Sequence, residues 1–186
     1  MRKLLVIFVS LMLCGCASVQ YNRLTKEQLP RLDSSNSAYV LVPDNAMYYG
    51  KECIGSGTIV CNLIYSAFSK HLKRVEMAPN GEKFEEGFKK AKNLGFTYLV
   101  DSKIFQWEDY VTEWNGRLDR IDIQIDLFET KASNLIDSVN FKGNGTWFTF
   151  GGYHPQHIVA KSIDDYVNSY FSLGAVDKIE KEGGKI

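Results

Sequence analysis

Five groups of residues in this chain have the types and spacing that chemistry could use. Gly55-Ser56-Gly57-Thr58 stands at the start of an apolar-periodic stretch. Backbone amides at a helix start can hold an anion, so Gly55, Ser56 and Gly57 form a candidate anion-binding loop. The same glycines also suit a tight turn with Ser56 as a cap, and neither the Walker pattern nor GxGxxG spacing is present. His154 and His157, with His71 or Asp164 as further donors, have ligand types that suit a metal. Pro155 between them favours a turn over a shared helical face. Asp119, Asp122 and Asp126 lie on or beside one strand, and Asp122 and Asp126 share a face. Paired carboxylates can do acid–base work, but the same alternation is ordinary on a solvated sheet. Cys53 and Cys61 are the two cysteines left once Cys14 and Cys16 near the N-terminus are set aside. They suit either a short disulfide loop or two buried thiols, and a zinc site would need further ligands. Finally, Trp107, Trp114, Trp147 and Tyr153 gather near turns and strand ends. They are candidate partner-binding anchors if exposed and core residues if not. No catalytic residue, metal site or cofactor is assigned from these groups.

Composition narrows the function classes. The chain has 186 residues, 45% of them hydrophobic, with 22 basic against 22 acidic side chains. That supports one domain with a full core. There is no basic excess, so nucleic acid is not an expected partner.

The N-terminus carries an address. Met1-Arg2-Lys3 precedes the apolar run Leu4–Leu13. This is a secretory signal rather than a membrane span, which needs about 20 residues. The tetrad Leu13-Cys14-Gly15-Cys16 resembles the lipobox of bacterial lipoproteins. The resemblance implies cleavage after residue 15, a signal peptide over 1–15 and palmitate-type acylation of Cys16. Ala17 follows, where lipoproteins kept in the inner membrane usually carry Asp. The implied location is therefore the outer membrane, with the domain lipid-anchored on the periplasmic side.

The elements that must position these residues follow from periodicity. Residues 16–37, with Pro30 and Asp33-Ser34-Ser35-Asn36-Ser37, read as a lipidated Cys and flexible tether. Ala38–Val42 is a short buried strand stopped by Pro43. Val60, Leu63, Ile64, Ala67, Phe68 and Leu72 make one helical stripe, with Ser56 or Thr58 as N-cap. Arg74–Ala78 is a strand. Glu82–Leu94 is a helix ended by Gly95. Phe96–Val111 is a long strand. Ile121, Ile123, Ile125 and Leu127 alternate with polar residues as a half-buried strand. A further strand covers about 135–143 and a last helix about 157–173. Residues 174–186 read as a flexible tail. The order β-α-β-α-β-β-β-α over 38–173 predicts an α+β (mixed α/β) single domain. Helical crossovers imply parallel pairing of the first three strands, and tight turns imply an antiparallel meander of the rest. The result is one mixed sheet with helices mostly on one face.

Ile54-Gly55-Ser56-Gly57, Trp107-Glu108-Asp109 and Gly151-Gly152-Tyr153-His154-Pro155-Gln156 together resemble an uncharacterised family of small Gram-negative lipoproteins, known as a domain of unknown function. The element order also looks like the TolB amino-terminal domain and the periplasmic domain of the curli-secretion lipoprotein. The resemblance implies a fold and supplies no catalytic residue. The expectation is a non-enzymatic binding or assembly component of the envelope. It would touch the membrane through the lipid on Cys16 and another envelope protein through its surface. The alternative is an envelope hydrolase or glycan-binding lipoprotein.

Overall fold

The computed structural model describes residues 18–25, 29–110, 118–145 and 154–172. The signal peptide, Cys16 and the 174–186 tail lie outside the described residues, as do Trp114, Trp147 and Tyr153. The strands are β1 (Ser18–Arg23), β2 (Ser37–Val40), β3 (Met47–Tyr48), β4 (Lys51–Glu52), β5 (Arg74–Met77), β6 (Tyr98–Glu108), β7 (Arg120–Glu129) and β8 (Asn134–Asn144). The helices are α1 (Ser56–Ser69), α2 (Phe84–Asn93) and α3 (Pro155–Ser169). Six strands form one mixed sheet in the order β1-β8-β7-β6-β2-β5, and β3 and β4 form a small hairpin beside it. The fold is α+β.

The pairing follows the connections. β2 pairs parallel with both β5 and β6, and each link passes through a helix, as parallel neighbours require. β6, β7 and β8 pair antiparallel in sequence order. Ile121, Ile123, Ile125 and Leu127 point to one face, each at most 1% exposed. α1 and α3 cover that face with Ile64, Phe68, Val159 and Ile163. Each such aliphatic or aromatic side chain contributes roughly 1.5–3 kcal/mol by leaving water. α2 lies on the opposite face, where Ala91 joins Tyr39, Leu41, Phe96 and Leu99, with Phe84, Phe88 and Phe128 around them. Alternation along β2 explains the division: Ala38 and Val40 serve the first core, and Tyr39 the second.

Two elements depart from the sequence reading. Residues Ser18–Arg23, expected as part of a tether, form an edge strand antiparallel to β8. Only Val19 and Tyr21 of this segment alternate inward, too few to give a local strand signal. Tyr49-Gly50 closes the β3–β4 hairpin with both residues at positive φ, a conformation that two-residue turns need.

Candidate functional site

The first construction joins the N-terminal edge to the core. Asp137 on β8 is fully buried. The Arg23 guanidinium, at the end of β1, donates to both carboxylate oxygens, at 3.0 to 3.2 Å. Thr25 Oγ1 donates to the same carboxylate. From α3, Tyr166 and Tyr170 hydroxyls donate to Asp137 Oδ2 at 3.1 and 2.9 Å. Burial, reinforced by nearby Asp137, holds both phenols well above their ordinary pKa. They therefore stay protonated as donors. A buried carboxylate is tolerable only when paired and hydrogen-bonded in this way. The group ties β1 to the core.

The second construction is a cleft. Leu41 N–H donates to the Val100 carbonyl at 2.9 Å. Beyond that bond the chain turns at Pro43 toward α1, while β6 continues. A cavity of about 260 Å³ opens there, bordered by Asp44, Asn45, Glu82, Lys83, Asp101 and Ser102 among others. It lies at the carboxyl end of β2, where α1 and α2 leave toward opposite faces, the usual crevice of such topologies. Ser102 is 3% exposed and its hydroxyl has no partner. Burial raises the Asp101 pKa, Lys103 opposes this, and Asp126 adds to it. Asp126 is the direct cross-strand neighbour of Asp101. Lys83 and Asp44 form an ion pair at 3.1 Å at the mouth. Among the described residues the lining holds no histidine. The arrangement offers hydrogen bonds to a small polar group. Neither Asp101 nor Ser102 stands out in the sequence, because their neighbours come from separate segments.

The candidates from sequence fall out as follows. Ser56 and Gly57 amides donate inward, to the Cys53 carbonyl at 3.1 Å and Asn45 Oδ1 at 3.0 Å. Ser56 Oγ accepts from the Ala46 amide at 2.9 Å. These two donors of the Gly55, Ser56 and Gly57 loop serve the fold, and Gly55, at φ 89°, occupies the N-cap position in place of Ser56 or Thr58. Cys53 and Cys61 are free thiols. Cys61 turns into the core from α1, and burial pushes its thiol up to about 12. Cys53 is partly buried against the same core, its Sγ 3.8 Å from the Trp107 carbonyl. Trp107 is 5% exposed and belongs to the main core, so it is no surface anchor. Asp122 and Asp126 do share the open sheet face. Asp122 bonds Asn140 and Lys142, and Asp126 bonds Gln124 and Ser138. Asp119 accepts from the Tyr110 amide at 2.7 Å. His154 contacts Asp109 at 3.1 Å. His71 stacks on Phe171, with ring centroids 4.6 Å apart, and Asp164 pairs with Lys70. Among the described residues no cluster of three or more metal-ligating side chains occurs.

Comparison with known proteins places this arrangement. A family model described as a domain of unknown function, DUF4823, matches residues 30–170. The chain belongs to that family. Among solved structures, two crystal forms of the PelC dodecamer from Paraburkholderia phytofirmans are similar, each with a TM-score of 0.62. Their sequence identities are 13% and 12%, over 85% of this chain and 100% and 99% of theirs. Lipoprotein GNA1162 from Neisseria meningitidis gives a TM-score of 0.45 at 10% identity, over 78% of this chain and 99% of that one. No curated protein matches.

Proposed function

We propose that this member of a family of unassigned function is a lipid-anchored, non-enzymatic binding or assembly component of the cell envelope. It would sit in the outer membrane on the periplasmic side. The observation that carries the reading is the position of β1, which starts at Ser18. A lipid on Cys16 would be attached two residues before a strand fastened to the core through Arg23 and Asp137. The domain would then ride directly on the membrane rather than on a long tether. Stable anchoring takes more than one acyl chain, which a lipobox cysteine typically receives. PelC, with which the fold is shared, forms a dodecamer. That precedent supports the assembly side of the reading, with a second envelope protein as the expected partner.

A second reading, as a glycan-binding lipoprotein or envelope hydrolase, draws on the polar cleft bordered by Asp44, Asn45, Glu82, Lys83 and Asp101. Concave sites with a few convergent polar groups are where small ligands bind.

The test is crosslinking in intact cells after labelling with fatty acid. The wild-type chain should take label, fractionate with outer membranes and capture a discrete envelope protein. Cys16→Ser should lose the label and the membrane fraction. A wild-type protein that takes no label overturns the anchor. A labelled protein that crosslinks to nothing while binding muropeptides through the Asp101 cleft favours the second reading.

A further inference from the structure

Among the described residues Leu24, Met77, Leu94, Phe105 and Leu135 are exposed apolar side chains on or beside separate elements, but the three most exposed lie together. Met47 is 61% exposed, Tyr49 84% and Ile54 88%. All three lie on the β3–β4 hairpin or on the link from it to α1. The hairpin is held beside the carboxyl end of β6. Tyr48 and Tyr110 hydroxyls meet at 2.6 Å, and the Cys53 thiol contacts the Trp107 carbonyl. Following register across the sheet, Glu108 of β6 opposes Arg120, Arg120 opposes Asn144, and Asn144 opposes Ser18. The hairpin therefore sits at the end of the sheet where β1 begins. The separation from β1 to β6 is three strand spacings, about 14 Å. Cys16 precedes Ser18 by two residues in the chain, a covalent reach of at most about 7 Å.

The hairpin tip is built in an unusual way. Its two-residue turn needs positive φ at both positions, where Asn, Asp and Gly are preferred. Here the first is Tyr49, at φ 47°. A bulky residue there is a genuine outlier, and its ring reaches solvent rather than the core. The adjacent Tyr48 ring packs edge-on against it at 4.5 Å, so the tip presents the ring from a braced support. Tyrosine, with an apolar body and a polar tip, suits the boundary between headgroups and acyl chains.

We propose that the Met47, Tyr49 and Ile54 end of the molecule seats on a phospholipid surface, as a peripheral contact beside the lipid on Cys16. The inference rests on the anchor reading above, which brings this end to the bilayer. No helix among the described residues is long and apolar enough to cross a membrane, so the contact is interfacial. Side chains inserted in this way reach about 5–10 Å into the headgroup and acyl boundary.

The test uses the full-length lipidated protein, reconstituted in vesicles of phosphatidylethanolamine and phosphatidylglycerol. Single cysteines carrying a nitrobenzoxadiazole label replace Tyr49 or Ile54 (Tyr49→Cys, Ile54→Cys), in a Cys53→Ser background; Cys61 is fully buried. Leu135→Cys is the reference, because Leu135 is 44% exposed and lies by the β7–β8 turn at the opposite end. Labels at 49 and 54 should shift to the blue and lose quenching by aqueous iodide severalfold relative to the label at 135. Equal quenching at all three positions, in protein that carries fatty acid, overturns the inference and leaves the anchor standing. Protein without fatty acid overturns the anchor, and the inference with it. Protection at 49 and 54 that grows with protein concentration in Cys16→Ser protein, with no vesicles present, assigns the surface to a second copy of the chain and also overturns it. Unchanged circular dichroism and unfolding midpoint confirm that each labelled variant is folded.

Discussion

Arg23 and Asp137 meet in a forked ion pair although 114 positions separate them in the chain. Arg23 closes the edge strand β1, at the end away from the proposed lipid site, and Asp137 is buried under α3. The pair ties the N-terminal edge to the packed core, so a pull on the N-terminus would act on the whole sheet.

Replacing Arg23 with Met should therefore loosen β1 first. Removing one partner of a buried pair typically costs 3–5 kcal/mol. Arg23 keeps 24% of its side-chain exposure, and Tyr166 and Tyr170 still donate to Asp137. The expected loss is then near the lower end, about 3 kcal/mol, read from urea unfolding. Hydrogen exchange should speed up at the β1 amides before those of β7. Unchanged exchange at β1 would refute the fastening role.

Asp101→Asn should stabilise the fold at neutral pH. Burial, the largest cause, raises the Asp101 pKa in the folded protein. The folded state thus binds the proton more readily than the unfolded one, and this residue's contribution falls as pH rises from the unfolded-state pKa of about 3.9. A neutral Asn removes that loss. The gain in melting temperature should be present at pH 7 and vanish below about pH 4. A gain that is the same at both ends of the range would assign the effect to packing.

Gly57→Ala should destabilise, although Ala is the better helix former by about 1 kcal/mol. A Cβ there would come within 2.2 Å of the Pro43 carbonyl oxygen. That atom is backbone and cannot rotate away. Overpacking of this kind costs roughly 1–3 kcal/mol, measurable as a lower unfolding midpoint. A raised midpoint would mean that the Pro43 turn yields easily.

The thiols should be countable. Denatured without reductant, the mature chain should show Cys53 and Cys61 both open to alkylation. In the folded protein Cys53 should react first. Cys61 is buried with its thiol pushed up to about 12, and thiolate is the reactive form. A mass two hydrogens lighter, with neither thiol modified, would restore the bridge.

Trp107→Ala should behave as a core truncation. Loss of a large buried aromatic costs about 3–5 kcal/mol, and Trp107 is only 5% exposed. Thermal unfolding should report that loss. A variant of native stability that has lost only its crosslinked partner would return Trp107 to the surface.

Local sequence determined much of the architecture. Ile121, Ile123, Ile125 and Leu127 announce β7 because alternation is a property of neighbours along a strand. The stripe from Val60 to Phe68 announces α1 for the same reason at helical period. Crossover helices and short turns then require the parallel and antiparallel halves of the sheet. Residues whose role depends on distant partners gave no such signal. Ser18–Arg23 reads as polar tether until β8 pairs with it, since an edge strand needs only one partner and few inward side chains. Asp137 reads as a solvated strand position until Arg23, Tyr166 and Tyr170 surround it. The Asp101 cleft exists because β2 stops while β6 continues, and three separate segments supply its lining. Gly55-Ser56-Gly57 looked open to an anion, and only the return of Asn45 and Ala46 showed those donors and the Ser56 hydroxyl to be engaged. Periodicity is written along the chain, whereas burial of a charge or a hydroxyl is set by which strands lie in register across it.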